Sequence, residues 1–471
     1  MGKLLYYLLY FPLNKMSKIF YYYLFCLWLG LLYLCLQKKD NTKIETMRIL
    51  LTLLIACSCI SLSAQTDCYR FDFTGKKKAK EGYIQVTPDM RYSTDTSYGY
   101  DYIVPQASVC GGPFHFSVKV PDGNYRVNIV VGSHRTAATT TLRGESRRLF
   151  YERIHTRKGE LKSCTFTINK RSTHIDDNEH VRIKSREEGK LNWDDKLTIE
   201  VAGPAPQIAE MTIERIDTSI TVFLCGNSTV VDQDNEPWAS WGQIIPRFFD
   251  EEVCFANYAE SGETAASFIA AGRLKKLLTQ IKKGDYVIVE FGHNDQKLTG
   301  AGDGAFYSFM TNMKIFVDEA RQRGATPILV TPTQRRSFNK EGKIIDTHLD
   351  FPEATRFLSQ REGVHLIDLH AMTRTLYEAM GPEDSKGAFV HYPTGSYPGQ
   401  DKPLADNTHF NPYGAYQISK CVIEGMKGLG LELIHHLRSD YTPYDPARPD
   451  DRDAFAWDES RFVEIVKPDG N

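Results

Sequence analysis

The hydrophobic periodicity of this chain changes once, near residue 217, and that change limits what the chain can fold into. From Cys68 to about Asp217, apolar residues recur at every second position. Phe71-x-Phe73, Phe114-x-Phe116-x-Val118-x-Val120 and Tyr125-x-Val127-x-Ile129-x-Val131 each place their apolar side chains on one face of a strand. Gly111-Gly112-Pro113 and Pro121-Asp122-Gly123-Asn124 supply turns between them. Residues 164–168, 181–183 and 197–201 are further short strand candidates. Such a run predicts an all-β sandwich or jelly roll. Tyr98, Tyr100 and Tyr102 read as one packed strand face, with stacking on a sugar as the alternative.

After Pro204 and Pro206, continuous apolar strands alternate with helical stretches. Strands are predicted at 220–225, 253–257, 286–291, 327–331 and 365–369, with helices at 265–282 and 306–323. This pattern predicts an α/β fold, a parallel sheet covered on both faces. Ligands of such sheets bind beyond the carboxyl ends of the strands.

Composition sharpens the domain plan. A length of 471 residues sets a prior of about three domains. Lys+Arg 57 against Asp+Glu 59 gives a net charge of -2, no electrostatic footprint for nucleic acid. Much of the apolar content is concentrated before residue 65. Residues 19–36 carry no charge and are long enough to span a membrane. A second run after Met47-Arg48 ends in Ser61, Ser63 and Ala64, as a cleaved export signal does. Two tandem signals are redundant, so Met47 is read as the true start. A genuine N-terminal membrane anchor and lipoprotein processing at Cys57 are the rivals. The expected plan is a leader (1–64), a β-sandwich (65–217), an α/β domain (218–438) and a tail packed on it (439–471). The expected location is periplasmic or extracellular. Cys68, Cys110, Cys164, Cys225, Cys254 and Cys421 show no metal-ligand spacing, and Cys225 and Cys254 read as buried thiols.

The strand ends carry the chemistry. The first α/β strand runs into Gly226-Asn227-Ser228-Thr229, which places a serine at a strand-to-helix turn. The second ends in Glu260-Ser261-Gly262, and the third in Gly292-His293-Asn294-Asp295. Asp406-x-x-His409 precedes a helix from about Tyr413, a spacing at which one turn brings an acid and an imidazole to one side. Each element alone fits a cap or a turn. In this order, they supply a nucleophile, oxyanion donors and a base with its orienter.

Gly226-Asn227-Ser228, Gly262, Gly292-x-Asn294-Asp295 and Asp406-x-x-His409 resemble the ordered blocks of the SGNH (GDSL-like) hydrolases. Asn227 stands where the commonest form has aspartate. Two segments, FLCGNSTVVDQDNEPWASWGQIIPRFF and ADNTHFNPYGA, are similar to the rhamnogalacturonan acetylesterases of that group. The segment around Asn192-Trp193-Asp194-Asp195-Lys196 resembles the galactose-binding-type β-sandwich of bacterial members. The resemblance implies an α/β/α, flavodoxin-like hydrolase that removes acetyl esters from pectic polysaccharide. Ser228 is then the nucleophile, His409 the base and Asp406 its orienter, with oxyanion donors from Ser228, Gly262 and Asn294. No cofactor or metal is implied, so activity in a chelator is expected.

Four residues are candidate substrate contacts. Trp238 and Trp241 form a sugar platform or pack the core. His293 walls the site. Arg335, with Arg336, pairs with galacturonate carboxylates or belongs to a solvated loop. Asp346-x-His348 and His391 have no ligand-like company in the sequence. Open alternatives are an acetylxylan esterase or lipase with the same catalytic residues, and a carbohydrate-binding protein with an inactive hydrolase domain.

Overall fold

The computed structural model describes residues 68–76, 78–102, 112–462 and 464–469. The expected leader, with its signal, anchor and lipoprotein alternatives, lies outside them, as does Cys110. Among the described residues, no helix is long and apolar enough to cross a membrane.

The period-two runs fold into two five-stranded sheets. One orders its strands Ile84–Gln85, Cys68–Asp72, Ile208–Ile216, Gly123–Gly132, Leu161–Lys170, and the other Tyr98–Asp101, Phe114–Lys119, Lys196–Ala205, Ala138–Gly144, Arg148–Thr156. Apart from a short parallel pair (Phe71 beside Ile84), the pairing is antiparallel. The inward residues of both sheets share one core. Phe71, Phe116, Val118, Tyr125, Val127, Ile129, Leu197, Ile199 and Ile213 are fully buried in it. Tyr98 and Tyr100 pack on Phe71 and on Phe114 and Phe116. Tyr102 departs from that face: it is exposed and stacks on the Lys196 ammonium.

In the second half, the strands Val253–Asn257, Ile220–Gly226, Tyr286–Glu290, Thr326–Val330 and His365–Ile367 lie side by side in that order, all parallel. Alternate residues serve opposite faces. Val222, Leu224, Ile288 and Val330 enter a core shared with Ile418 and Val422 of the helix Pro412–Gly428. Phe223, Cys225, Val287 and Leu329 enter a second core with Met313 and Phe316 of the helix Met310–Gln322. Strands buried on both faces explain the unbroken apolar runs.

The helix expected over 265–282 is two short ones, Ala265–Ala270 and Arg273–Leu278, broken at Gly272 with φ +82°. The Asp406 and His409 segment is not a helical turn. It lies in the strand Leu404–Phe410, paired with Phe389–Tyr392. There, Ala405 and Phe410 face His391 and Phe389, so five steps on one strand oppose two on the other. The bulge turns both side chains together.

The sandwich meets the α/β part at a tight turn, where Glu145 and Arg147 take φ 52° and 60°. Arg148 pairs with Asp232 at 2.8 Å and Arg147 with Glu236 at 2.6 Å, all four side chains buried. The tail joins both parts: Asp458 accepts hydrogen bonds from Thr141 and from the Arg153 guanidinium, and Asp450 pairs with Lys420. Cys68, Cys164, Cys225, Cys254 and Cys421 are free thiols.

Candidate functional site

The interior strand Ile220–Gly226, between Val253–Asn257 and Tyr286–Glu290, delivers Ser228 to the carboxyl edge of the sheet. The residue does not cap a helix, contrary to the strand-to-helix expectation. The chain makes a turn, in which Val230 and Val231 N–H donate to the Asn227 carbonyl, and the next helix is only Trp241–Ile244. A network beneath holds the turn. Thr229 N–H donates to Asn227 Oδ1, and the Thr229 hydroxyl lies between Asn227 Oδ1 at 3.0 Å and Glu290 Oε1 at 2.9 Å. Gln233 Nε2 donates to the Ser228 carbonyl at 2.9 Å.

Ser228 lines up here with Asp406 and His409, the latter 181 residues further along the chain. His409 Nε2 is 2.8 Å from Ser228 Oγ, and His409 Nδ1 is 2.7 Å from Asp406 Oδ2. The Asp406 Oδ1 atom accepts the Thr408 and His409 backbone N–H groups, which fixes the acid and the imidazole as one unit. Burial disfavours the Asp406 charge, but the His409 ring and these N–H groups outweigh it and hold the carboxyl at about 2. Asp406 is therefore an anion at any working pH. Its partner Nδ1 must carry a hydrogen, which leaves Nε2 to accept the Ser228 proton.

The Ser228 and Gly262 backbone N–H groups donate to no acceptor among the described residues. Gly262 has φ +76°, and a Cβ there would lie 2.9 Å from Asp469 Cβ and 3.1 Å from Lys184 Nζ. Asn294 donates one amide hydrogen to the Glu263 carbonyl at 3.0 Å, which orients the amide and leaves its second hydrogen for a ligand. Asp295 accepts the Ala265 and Gly292 N–H groups at 2.8 and 2.9 Å, tying the second and third strand ends together. Lys467 Nζ lies 3.9 Å from Asp406 Oδ2, so the tail crosses this site, and Ser228 is only 3% exposed.

The four expected substrate contacts fare differently. Trp241 is fully buried and donates to Glu290 Oε2 at 2.6 Å, and Trp238 is 3% exposed. Buried rings offer no face to a sugar, so the platform reading is corrected to core packing for both. His293 is buried with both ring nitrogens engaged, Nε2 by Thr333 and Nδ1 by His348, and so presents no free nitrogen to substrate. Arg335 directs its guanidinium to Thr347 and to the His293 carbonyl, which makes it a loop clamp rather than a carboxylate receptor. His391 meets Asn407 Oδ1 at 2.8 Å. The structure also corrects the isolated reading of Asp346 and His348, because it brings His370 to them. A cavity of about 660 Å³ among Tyr397, Tyr413, Arg452 and Trp457 includes none of the Ser228 cluster.

Glu290 and Gln233 support the nucleophile turn from outside any of the motif blocks. In the sequence Glu290 is marked solely as an acid ending an otherwise apolar strand.

A parallel-sheet α/β/α fold with a Ser–His–Asp relay and N–H donors beside the serine defines a serine hydrolase that acts by acyl transfer. Residues 219–416 match the GDSL-like lipase/acylhydrolase family, and the chain belongs to that family. It is 43% identical over 222 residues to the rhamnogalacturonan acetylesterase RhgT of Bacillus subtilis (strain 168), covering 47% of this chain and 95% of that protein. The probable rhamnogalacturonan acetylesterase YesY of the same organism is 28% identical over 219 residues, 46% of this chain and 96% of YesY. Its uncharacterized esterase YxiM is 24% identical over 396 residues, 78% of this chain and 93% of YxiM. The chain is accordingly a carbohydrate esterase.

Proposed function

We propose that the protein is an exported esterase that removes O-acetyl groups from rhamnogalacturonan through an acetyl-Ser228 intermediate. The observation that carries the mechanism is the relay from Ser228 Oγ to His409 Nε2 and from His409 Nδ1 to Asp406. His409 takes the Ser228 proton as Oγ attacks the acetyl carbonyl. Asp406 stabilises the imidazolium that forms. The Ser228 and Gly262 N–H groups and the second Asn294 amide hydrogen receive the oxyanion. Collapse transfers the His409 proton to the leaving sugar oxygen and leaves acetyl on Ser228. Water, deprotonated by the same imidazole, then releases acetate.

The 43% identity to RhgT supports rhamnogalacturonan as the substrate. Export rests on the leader sequence, and N-terminal sequencing of the native protein tests it. The substrate assignment is tested by acetate release from acetylated xylan, homogalacturonan and rhamnogalacturonan, with Ser228→Ala as control. Faster release from rhamnogalacturonan is expected. Preference for xylan would favour the acetylxylan reading.

A further inference from the structure

Asp346, His348 and His370 bring a carboxylate oxygen and two imidazole nitrogens within 4.8 Å of one another. The first two lie in the loop after the strand Thr326–Val330, and His370 lies in the first turn of the helix Leu369–Asp384. The hydrogen bonding around them does not close with neutral rings. His370 Nδ1 is 2.9 Å from the Pro332 carbonyl oxygen, which can only accept, so this nitrogen carries the hydrogen. The neutral ring then presents an Nε2 lone pair to Asp346 Oδ2 at 2.8 Å, acceptor against acceptor. His348 is fully buried, its Nε2 meets His293 Nδ1 at 3.1 Å, and its Nδ1 has no hydrogen-bond partner. Gln334 Oε1, also buried, has none either, while its amide nitrogen sits 2.7 Å from His370 Nε2. Reversing that amide would bring the oxygen to the cluster.

A cation resolves all of these at once. We infer that Asp346, His348 and His370 bind a divalent transition-metal ion of the zinc type, with Gln334 Oε1 or solvent as a fourth ligand. Two imidazoles and a carboxylate are the ligand chemistry of such borderline ions. His370 Nδ1–H on a carbonyl is the outer contact that fixes a metal-binding imidazole. With the ion on His348 Nδ1, His348 Nε2–H donates to His293 Nδ1, and His293 Nε2–H donates to Thr333 Oγ1 at 3.1 Å. Every ring nitrogen is then satisfied. Tetrahedral zinc separates its ligand atoms by roughly 3.3 Å, so the close pair opens slightly and the farthest closes by side-chain rotation. Arg374 Nη2, 3.5 Å from Asp346 Oδ2, yields that oxygen to the ion. The Asp346 side chain is 41% exposed and leaves an entry path. The ion does not enter the acyl transfer. It clamps the loop to the helix.

Metal-stripped full-length protein titrated with zinc by calorimetry, with thermal unfolding in parallel, tests this. One zinc per chain and a higher Tm are expected. Asp346→Asn keeps the Oδ1 contact to the His348 N–H (2.9 Å) and should fold. Losing an outer contact already costs ~10–100-fold in metal affinity, so losing this ligand should cost at least ~10-fold and abolish the Tm shift. His370→Gln should behave alike. His174 and His180, whose rings lie 5.5 Å apart near the surface, are the adventitious alternative, and His174→Gln should bind as wild type does. Absence of binding by zinc, cobalt and nickel would overturn the inference, as would undiminished binding by both Asp346→Asn and His370→Gln. Loss of activity on stripping, well below Tm, would overturn the clamp role.

Discussion

Ser228 acts through geometry that it does not make itself. Its hydroxyl has an ordinary serine environment except for His409 Nε2 at 2.8 Å, and that contact depends on the Asp406 bulge. Ser228→Ala should abolish ester hydrolysis while leaving folding intact, as read by circular dichroism. Asn294 has one amide hydrogen fixed on Glu263 and the other available. Asn294→Ala should lower kcat by ~10²- to 10³-fold with little change in KM, because an oxyanion donor acts chiefly in the transition state. A large KM rise with unchanged kcat would show that Asn294 binds the ground state instead.

At the scale of elements, the strand Tyr286–Glu290 ends in an acid buried under the nucleophile turn. Burial raises the Glu290 carboxyl from 4.5 to about 7, despite hydrogen bonds from Trp241 and Thr229 that favour the anion. The folded state therefore holds this proton more tightly than the unfolded chain does. Its contribution to stability is complete below 4.5 and falls as pH rises through about 7, a loss of roughly 3 kcal/mol for this group. Urea unfolding at a series of pH values should show this decline, and Glu290→Gln should flatten it. The helices were less legible than the strands. Gly272 divides one predicted helix, and a Schellman-like break of this kind needs only one permissive residue inside an amphipathic pattern.

At the scale of the whole molecule, the sandwich supports the nucleophile region. Its Glu145–Arg148 turn reaches Asp232, Gln233, Asp234 and Glu236, and Gln233 holds the Ser228 carbonyl. Breaking the buried pair with Arg148→Ala should cost ~3–5 kcal/mol in urea unfolding, since it strands the Asp232 charge. Arg126→Ala breaks a more exposed pair with Glu252 and should cost ~1 kcal/mol or less. The tail bears on access: Lys467 approaches Asp406, and Asp469 packs at Gly262. A variant ending at Phe462 should show a lower KM for polymeric substrate, with kcat on nitrophenyl acetate unchanged.

The sequence by itself determined the two fold classes, the parallel strands to within two residues at each end, and the blocks around Ser228, Gly262, Asn294, Asp406 and His409. Those features are local: a period of two or of 3.6, and glycine or polar residues where an apolar strand stops. Only the tertiary structure decided that Trp238 and Trp241 are core residues, that His293 and Arg335 are held by neighbours, and that His370 joins Asp346 and His348. It also decided that a turn of the sandwich braces the nucleophile loop and that the tail crosses it. Each of these depends on segments distant in sequence meeting at one place. Periodicity and motif spacing report which face of an element is apolar, but carry no record of what that face, or a polar side chain beside it, will meet.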